Sequence, residues 1–304
     1  MDKKAIALAS RLDSEDAIKL IKRIFEFLIK KGEVVYLETR IAPKIHPHNG
    51  MDLIDMTNDR IKFIVSLGGD GSILRVSQSL PQDNPPPLLG VNIGSIGFLD
   101  DSNERAIFRD LKKLLEEQYS TQEVSKITPY LVKKNGDEIK LPNALNDVVV
   151  VSSKHSKVLQ ISVKVNGIFL NRSYLDGIII STATGSTAYN LSAGGAIVSP
   201  KLDVMQLTPL NPYARSGLKP MVIDFDSEIE IKLLRPRLNA KIVIDGQRII
   251  KKIQPNSTII VRPSTAKAKF IRLHDNQSKI YYKRLRKKIM EVCVSQLMTP
   301  RKNN

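Results

Sequence analysis

Short unbroken apolar runs alternate with stretches of helical periodicity over the first part of the chain. Lys4 to Ser10, Glu33 to Leu37, Ile61 to Leu67 and Leu88 to Ile93 read as strands, and the last two have the composition of strands buried on both faces. Ser14 opens a helix with Ile18, Ile21, Phe25, Leu28 and Ile29 on one face, ending near Gly32. Asp101 and Glu104 form a capping-box pattern ahead of a later helix with Phe108, Leu111 and Leu115 on one face. Residues 41–59 carry two prolines and scattered acids and read as a surface loop. This alternation predicts an α/β domain over residues 1–121, a parallel sheet with flanking helices.

The pattern then changes. Asn135-Gly136, Asn166-Gly167 and Asp245-Gly246 sit between alternating or β-branched runs, each a two-residue hairpin signal. Ile161, Val163 and Val165 alternate with Ser162, Lys164 and Asn166, as in a half-buried strand. Residues 122–279 therefore read as a mostly antiparallel, β-rich C-terminal domain. A last helix over 280–298 suits the first architecture better, and is expected to return to it.

Composition narrows the picture. The 304 residues suit two domains, and 42% hydrophobic content is ample for their cores. Trp is absent and aromatics are 5%, which argues against an aromatic platform for stacking bases. The single cysteine, Cys293, excludes an internal disulfide framework and fits a reducing, cytoplasmic setting. No apolar run is long enough for a membrane span, and residues 1–10 lack a signal-peptide core. The net charge of +16 favours polyanionic partners, whether nucleic acid, an acidic membrane or nucleotide substrates, and does not choose among them. Part of it is local, since Lys279 to Lys288 hold six basic residues and no acid. A solvated helix face accounts for that run better than a nucleic-acid arm.

The candidate chemistry gathers at strand ends. Ile61 to Leu67 breaks at Gly68-Gly69-Asp70-Gly71, followed by a helical stretch. That order sets backbone N–H groups at a sheet's carboxyl edge, where anions bind. The Walker pattern is absent, and Leu74 stands where a dinucleotide fingerprint needs its third glycine. What remains is a carboxylate, Asp70, among three glycines. It suits Mg²⁺ binding, proton abstraction from an attacking hydroxyl, or a tight turn whose Asp caps the helix. A second glycine turn, Gly94 to Leu99, follows the next strand. Asn146-Asp147 opens the run Val148 to Val151; the pair suits sugar hydroxyls, or simply a turn. Asp176 to Asn190 is a buried run entering a hydroxyl-rich loop, and Gly194-Gly195 follow. This density of small residues favours a nucleotide-binding loop. His46 and His48 have no nearby partners to complete a metal site, and His155 and His274 are lone residues.

Taken together, GGDG at Gly68 to Gly71, GVNIGSIGFL at Gly90 to Leu99, Asn146-Asp147, and DGIIISTATGSTAYNLSAGG at Asp176 to Gly195 resemble the NAD kinases. The resemblance runs from Ile6 to about Leu285, and the last block is its most specific part. GGDG alone is shared with diacylglycerol and sphingosine kinases. Membership would imply an active site between two domains and γ-phosphoryl transfer from ATP, or in some members polyphosphate, to the 2′-hydroxyl of the adenosine ribose of NAD. It would make Asp70 the general base or the residue that orients that hydroxyl. Asn146 and Asp147 would hold ribose hydroxyls, and Phe98 would lie by the adenine. Asp176, Thr184, Thr187, Ala188, Tyr189 and Ser192 would line the NAD pocket, Gly71 would also face NAD, and Gly68, Gly69, Gly71 and Asn92 would form the phosphate loop. Mg²⁺ or another divalent cation would accompany ATP. In many relatives the residue matching Asp176 reaches a neighbouring subunit's nicotinamide, which implies a homodimer or homotetramer. Asp147 is often Glu in the family, Ser95 replaces a larger polar residue, and Ala183 replaces a common proline. The alternatives are a lipid kinase sharing only the first motif, and a non-enzymatic polyanion binder using the Lys283 to Lys288 run.

Overall fold

The computed structural model describes residues 3–94, 96–133, 136–154, 157–213, 217–234 and 239–290. Ser95, Asn135, His155, Cys293 and the end of the expected 280–298 helix lie outside them. The chain divides into two compact units. One comprises the residues up to Glu123 together with those from Lys269, and the other is Val124–Ala268.

The first unit is built on an eight-stranded sheet. Its order is Gly50–Met51, Val35–Glu38, Ala5–Ser10, Ile61–Leu67, Leu88–Asn92, Ala268–Arg272 and Ser120–Val124, with Ser102–Asn103 pairing beside Leu88–Asn92. The pairings from Gly50–Met51 across to Ala268–Arg272 are parallel. The central strands carry β-branched and aromatic residues on both faces, so both faces need cover. The helix Glu15–Lys30 supplies part of it, its first turn capped by the Ser14 hydroxyl, which accepts from Ala17 N at 3.3 Å. The buried stripe of that helix is Ala17, Leu20, Ile21, Ile24, Phe25 and Leu28. It is rotated from the expected one: Ile18 is only half-buried and Ile29 is exposed.

Three expectations are corrected here. Residues 41–59 are not a plain surface loop, for they hold the edge strand Gly50–Met51 and bury Ile41, Met51, Leu53 and Met56. Asp101 and Glu104 do not cap a helix. The helix is Ile107–Leu115, Asn103 Oδ1 accepts from Arg105 N and Ala106 N ahead of it, and Asp101 is drawn away to Leu273 N at 2.6 Å. Ala268–Arg272, read as part of the β-rich segment, pairs in parallel with Leu88–Asn92 and belongs to the first sheet.

The second unit consists of two six-stranded antiparallel sheets. One runs Met221–Asp224, Val204–Leu210, Gly177–Thr182, Asp147–Ser152, Ala240–Ile244, Arg248–Ile253. The other runs Ile168–Leu175, Leu159–Val165, Ile229–Leu233, Thr258–Pro263, Ile127–Val132, Glu138–Lys140. Ile178 and Ile180 of the first sheet share one core with Ile161, Val163 and Ile231 of the second, the arrangement of a sandwich. The hairpins at Asn166-Gly167 and Asp245-Gly246 have positive φ at both turn residues, as a two-residue turn of matching twist requires.

The helix Asp70–Ser79 is tied to the sheet through a buried ion pair. Arg75 Nη1 and Nη2 donate to the two carboxylate oxygens of Glu38 at 2.6 and 2.7 Å, and Glu38 is 2% exposed. Leaving such a carboxylate unpaired is costly, although Arg40 at 3.7 Å would offset part of the loss. Arg75→Ala is therefore expected to lower the unfolding free energy by about 2–3 kcal/mol, measured by urea denaturation.

Candidate functional site

Asp70 opens its helix immediately after the strand Ile61–Leu67 and the turn Gly68-Gly69. Its side chain does not cap that helix; the N-cap is Gly69, with no side-chain cap. Instead the carboxylate reaches across to the second glycine turn. It accepts from Phe98 N at 3.0 Å to both oxygens, and from Leu99 N at 3.0 Å to Oδ1. Gly97 makes this approach possible, because a Cβ there would collide with Asp70 Oδ1. Lys288 Nζ stands 3.2 Å from Asp70 Oδ2.

The turn that supplies those N–H groups is itself held. Asp100 accepts from Gly97 N at 2.9 Å and Asn92 Nδ2 at 3.0 Å, and pairs with Arg284 Nη2 at 2.9 Å. Gly68 and Asn92 are buried, Gly69 and Phe98 half-buried, and Gly71 is exposed on the helix's first turn. Asn92 also lines a cavity of about 720 Å³ whose walls include Arg105, His274, Arg284 and Lys287.

In the second unit, Asn146 and Asp147 lie at the start of the strand Asp147–Ser152. The loop ahead of them is fixed by Asp245, whose carboxylate accepts from Leu145 N at 2.9 Å, Asn146 N at 2.7 Å and Asp147 N at 3.0 Å. The sequence shows Asp245 only as a hairpin residue. Its second use lies about a hundred positions away in the chain and leaves no local signal. Burial, with Asp245 adding to it, pushes the Asp147 carboxyl up to about 7. Burial also lowers Lys126 to about 8, and Asp245 opposes that shift.

The hydroxyl-rich loop packs onto the same place. Thr182 Oγ1 donates to Leu145 O at 2.6 Å, Thr182 N to Asn146 O at 2.9 Å, and Gly185 N to Thr182 Oγ1 at 3.1 Å. A side chain at Gly185 would run into the Asn146 carbonyl. The loop forms a 3-10 turn, Thr184–Thr187, and a one-turn helix, Tyr189–Ser192. Thr184, Thr187 and Ala188 are half-buried, while Tyr189 and Ser192 are exposed. Asn190, absent from the expected site set, is the loop's internal brace. It is fully buried, accepts from Thr208 Oγ1 at 2.6 Å and donates to Ser186 O and Ala196 O.

Asp176 is the residue that does not join this group. It precedes the strand Gly177–Thr182, while Thr184 follows it, so the strand's rise separates them by about 20 Å. It is exposed and accepts from Asn211 Nδ2 at 2.8 Å.

Residues 6–119 match the ATP-NAD kinase N-terminal domain family, and residues 145–273 match the ATP-NAD kinase C-terminal domain family. The chain belongs to the NAD kinases. It is 35% identical to the NAD kinase of Methanothermobacter thermautotrophicus over 94% of this chain and 96% of that one. It is 34% identical to the NAD kinase of Thermococcus gammatolerans, over 92% and 98%. Among solved structures it is similar to an NAD kinase from Archaeoglobus fulgidus in complex with ATP, with a TM-score of 0.73, 27% identity, and coverage of 93% and 98%. The fold is also that of yeast NADH kinase complexed with NADH, with a TM-score of 0.82 at 20% identity over 99% and 90%. The α/β unit, the β-rich unit and the basic helix after them are thus the NAD kinase architecture.

The raised Asp147 carboxyl has a stability consequence for this NAD kinase. In the folded chain it keeps its proton up to about 7, against an ordinary value of 3.8. Between those values the folded state binds the extra proton, so this group makes stability fall as pH rises. Asp147→Asn is expected to flatten the fall in unfolding free energy between pH 4 and 7, read by urea titrations across that range.

Proposed function

We propose that this chain transfers the γ-phosphoryl group of ATP to the 2′-hydroxyl of the adenosine ribose of NAD, giving NADP and ADP. The observation that carries the reading is the Asp70 carboxylate, fixed at the sheet's carboxyl edge by Phe98 N and Leu99 N and half-exposed toward solvent. A ribose hydroxyl has a high pKa, so a placed carboxylate helps as the proton leaves, late in a loose transition state. In this reading Asp70 accepts or orients that proton. Asn146 and Asp147 hold ribose hydroxyls, and Phe98 lies by the adenine. Thr184, Thr187, Ala188, Tyr189 and Ser192 line the dinucleotide pocket, and Gly71 is assigned to NAD as well. An Asp147 carboxyl near 7 can both donate to and accept from a sugar hydroxyl at neutral pH.

The donor's phosphates fall to Gly68, Gly69 and Gly71 and to Asn92, whose cavity carries three cations: Arg105, Arg284 and Lys287. A divalent cation, Mg²⁺ above all, fits as a companion of the triphosphate. Among the described residues no three His, Cys, Asp or Glu side chains gather into a metal site. When bound with the triphosphate, such an ion would offset phosphate charge. Polyphosphate remains an alternative donor for the same cations. Asp176 cannot reach the hydroxyl loop of its own chain, which supports a role toward a neighbouring subunit in a homodimer or homotetramer. Among the described residues no helix is long and apolar enough to cross a membrane. The single cysteine, which suits a reducing compartment, supports a cytoplasmic place. A lipid kinase would share the first motif only, and would leave Asn146 and Asp147 without a task. A polyanion binder would not need Asp70.

The test is NADP formation from ATP, Mg²⁺ and NAD by the purified protein. Asp70→Asn is expected to lower kcat by about 10²–10⁴-fold with its thermal midpoint little changed. Wild-type activity with no loss in Asp70→Asn would remove the carboxylate from the mechanism. Gly97→Ala, which pushes a methyl group into Asp70 Oδ1, is expected to cost at least ~10²-fold in kcat, checked in the same assay.

A further inference from the structure

Lys288 reaches the Asp70 site from the far end of the chain. It follows the helix Gln277–Leu285 in a wider helical turn, Arg286–Met290, a device common at functional sites. The helix is anchored to the second glycine turn. Arg284 Nη1 donates to the Asp100 carbonyl at 2.6 Å, and the Tyr281 ring lies 5.8 Å from that of Phe98. Arg284 and Lys288 are four residues apart, so they share a face, and that face meets Asp100 and then Asp70. The ammonium of Lys288 is thus brought in by a seated element. It lies 3.2 Å from Asp70 Oδ2 and 4.9 Å from the Phe98 ring centre.

The pair has no evident structural task. The Asp70 carboxylate already has two peptide donors, and a pair this exposed contributes little to stability. Asp70 Oδ1 is occupied by both N–H groups, whereas Oδ2 takes only the shared Phe98 bond and Lys288. Oδ2 is therefore the oxygen open to a substrate hydroxyl. An ammonium beside that oxygen stands next to the atom the hydroxyl would attack.

We propose that Lys288 is a catalytic residue of the phosphoryl transfer, a deepening that rests on the kinase reading above. When the 2′-hydroxyl takes its place at Asp70 Oδ2, the ammonium swings to the equatorial oxygens of the γ-phosphoryl. The new bond joins the 2′-oxygen to phosphorus as the bridging bond to the β-phosphate breaks. The hydroxyl proton passes to Asp70, and ADP leaves with the electron pair of the broken bond. Lys288 keeps its proton throughout, and its charge balances the spread of negative charge over the transferring group.

The experiment compares wild type, Lys288→Ala, Lys288→Arg and Lys283→Ala with ATP, Mg²⁺ and NAD. Lys283→Ala controls for the loss of one positive charge from the same exposed helix. Lys288→Ala is expected to lose about 10²-fold in kcat, with KM for NAD and the thermal midpoint near wild type. Lys288→Arg is expected to recover part of the loss, and added ethylammonium to restore part of the Lys288→Ala rate. A purely structural pair would not respond to a free amine. A kcat for Lys288→Ala within about twofold of wild type, or above it, overturns the proposal; the latter would make Lys288 a latch on the resting site. An equal loss in Lys283→Ala also overturns it. A wild type that makes no NADP sinks the kinase reading itself, whereas an active wild type with an unaffected Lys288→Ala sinks this proposal alone.

Discussion

The first unit's site depends on two peptide N–H groups, those of Phe98 and Leu99, meeting one carboxylate. Loop N–H groups at the end of a parallel strand have no ladder partner and must find an acceptor. Asp70 is that acceptor, and the bond fixes both the acid and the turn. It requires a bare Gly97, and it requires Asp100 to hold that turn from the other side through Gly97 N and Asn92. Asp100 is in turn paired by Arg284. The position of one candidate base is thus set by a chain of polar contacts running from a strand end to the basic helix.

The second unit solves the same problem in the same way. Asp245 gathers three successive N–H groups, from Leu145 to Asp147, as Asp70 gathers two. Charge-assisted bonds of this kind are shorter and stronger than neutral ones, and they suit loops that must hold a shape without a ladder. The outcome for the neighbouring acid differs. Asp147 is buried and faces the Asp245 charge, so it titrates near neutrality. Asp70 stays half-exposed beside an ammonium. Two acids expected to meet ribose oxygens thus sit in opposite electrostatic settings.

Much of this was legible in the chain because it is local. The strand Ile61–Leu67 and the turn after it follow from apolar run, glycines and helix propensity in adjacent residues. The hairpins at Asn166-Gly167 and Asp245-Gly246 follow from a φ requirement that few residues meet. The hydroxyl loop, with its short helix, announces itself by small residues after a buried strand. Contacts between distant segments were not legible. Asp70 reads equally as a helix cap until Phe98 and Leu99 are seen to compete for it. Asp101 fits a capping box until Leu273 draws it into the sheet. Ile29 belongs to the expected apolar face, but the helix buries Leu20 and Ile24 against the core and leaves Ile29 exposed. The reach of Asp176 could not be read from its motif, because the buried run that makes the motif recognisable also carries its two ends apart.

The strand Ala268–Arg272 lies between Leu88–Asn92 and Ser120–Val124 in the first sheet, although the entire sandwich separates it in sequence from Ser120–Val124. A ribosome making this protein therefore emits most of the sheet early, yet leaves a vacant slot one strand in from its edge. Ser120–Val124 has no neighbour in that sheet until nearly all of the chain has been synthesised. The inserted sandwich, whose strands are contiguous in sequence, can close on itself first. Asp70 can meet Phe98 N and Leu99 N early, whereas the contacts from Arg284 and Lys288 wait for the returning strand and the helix beyond it.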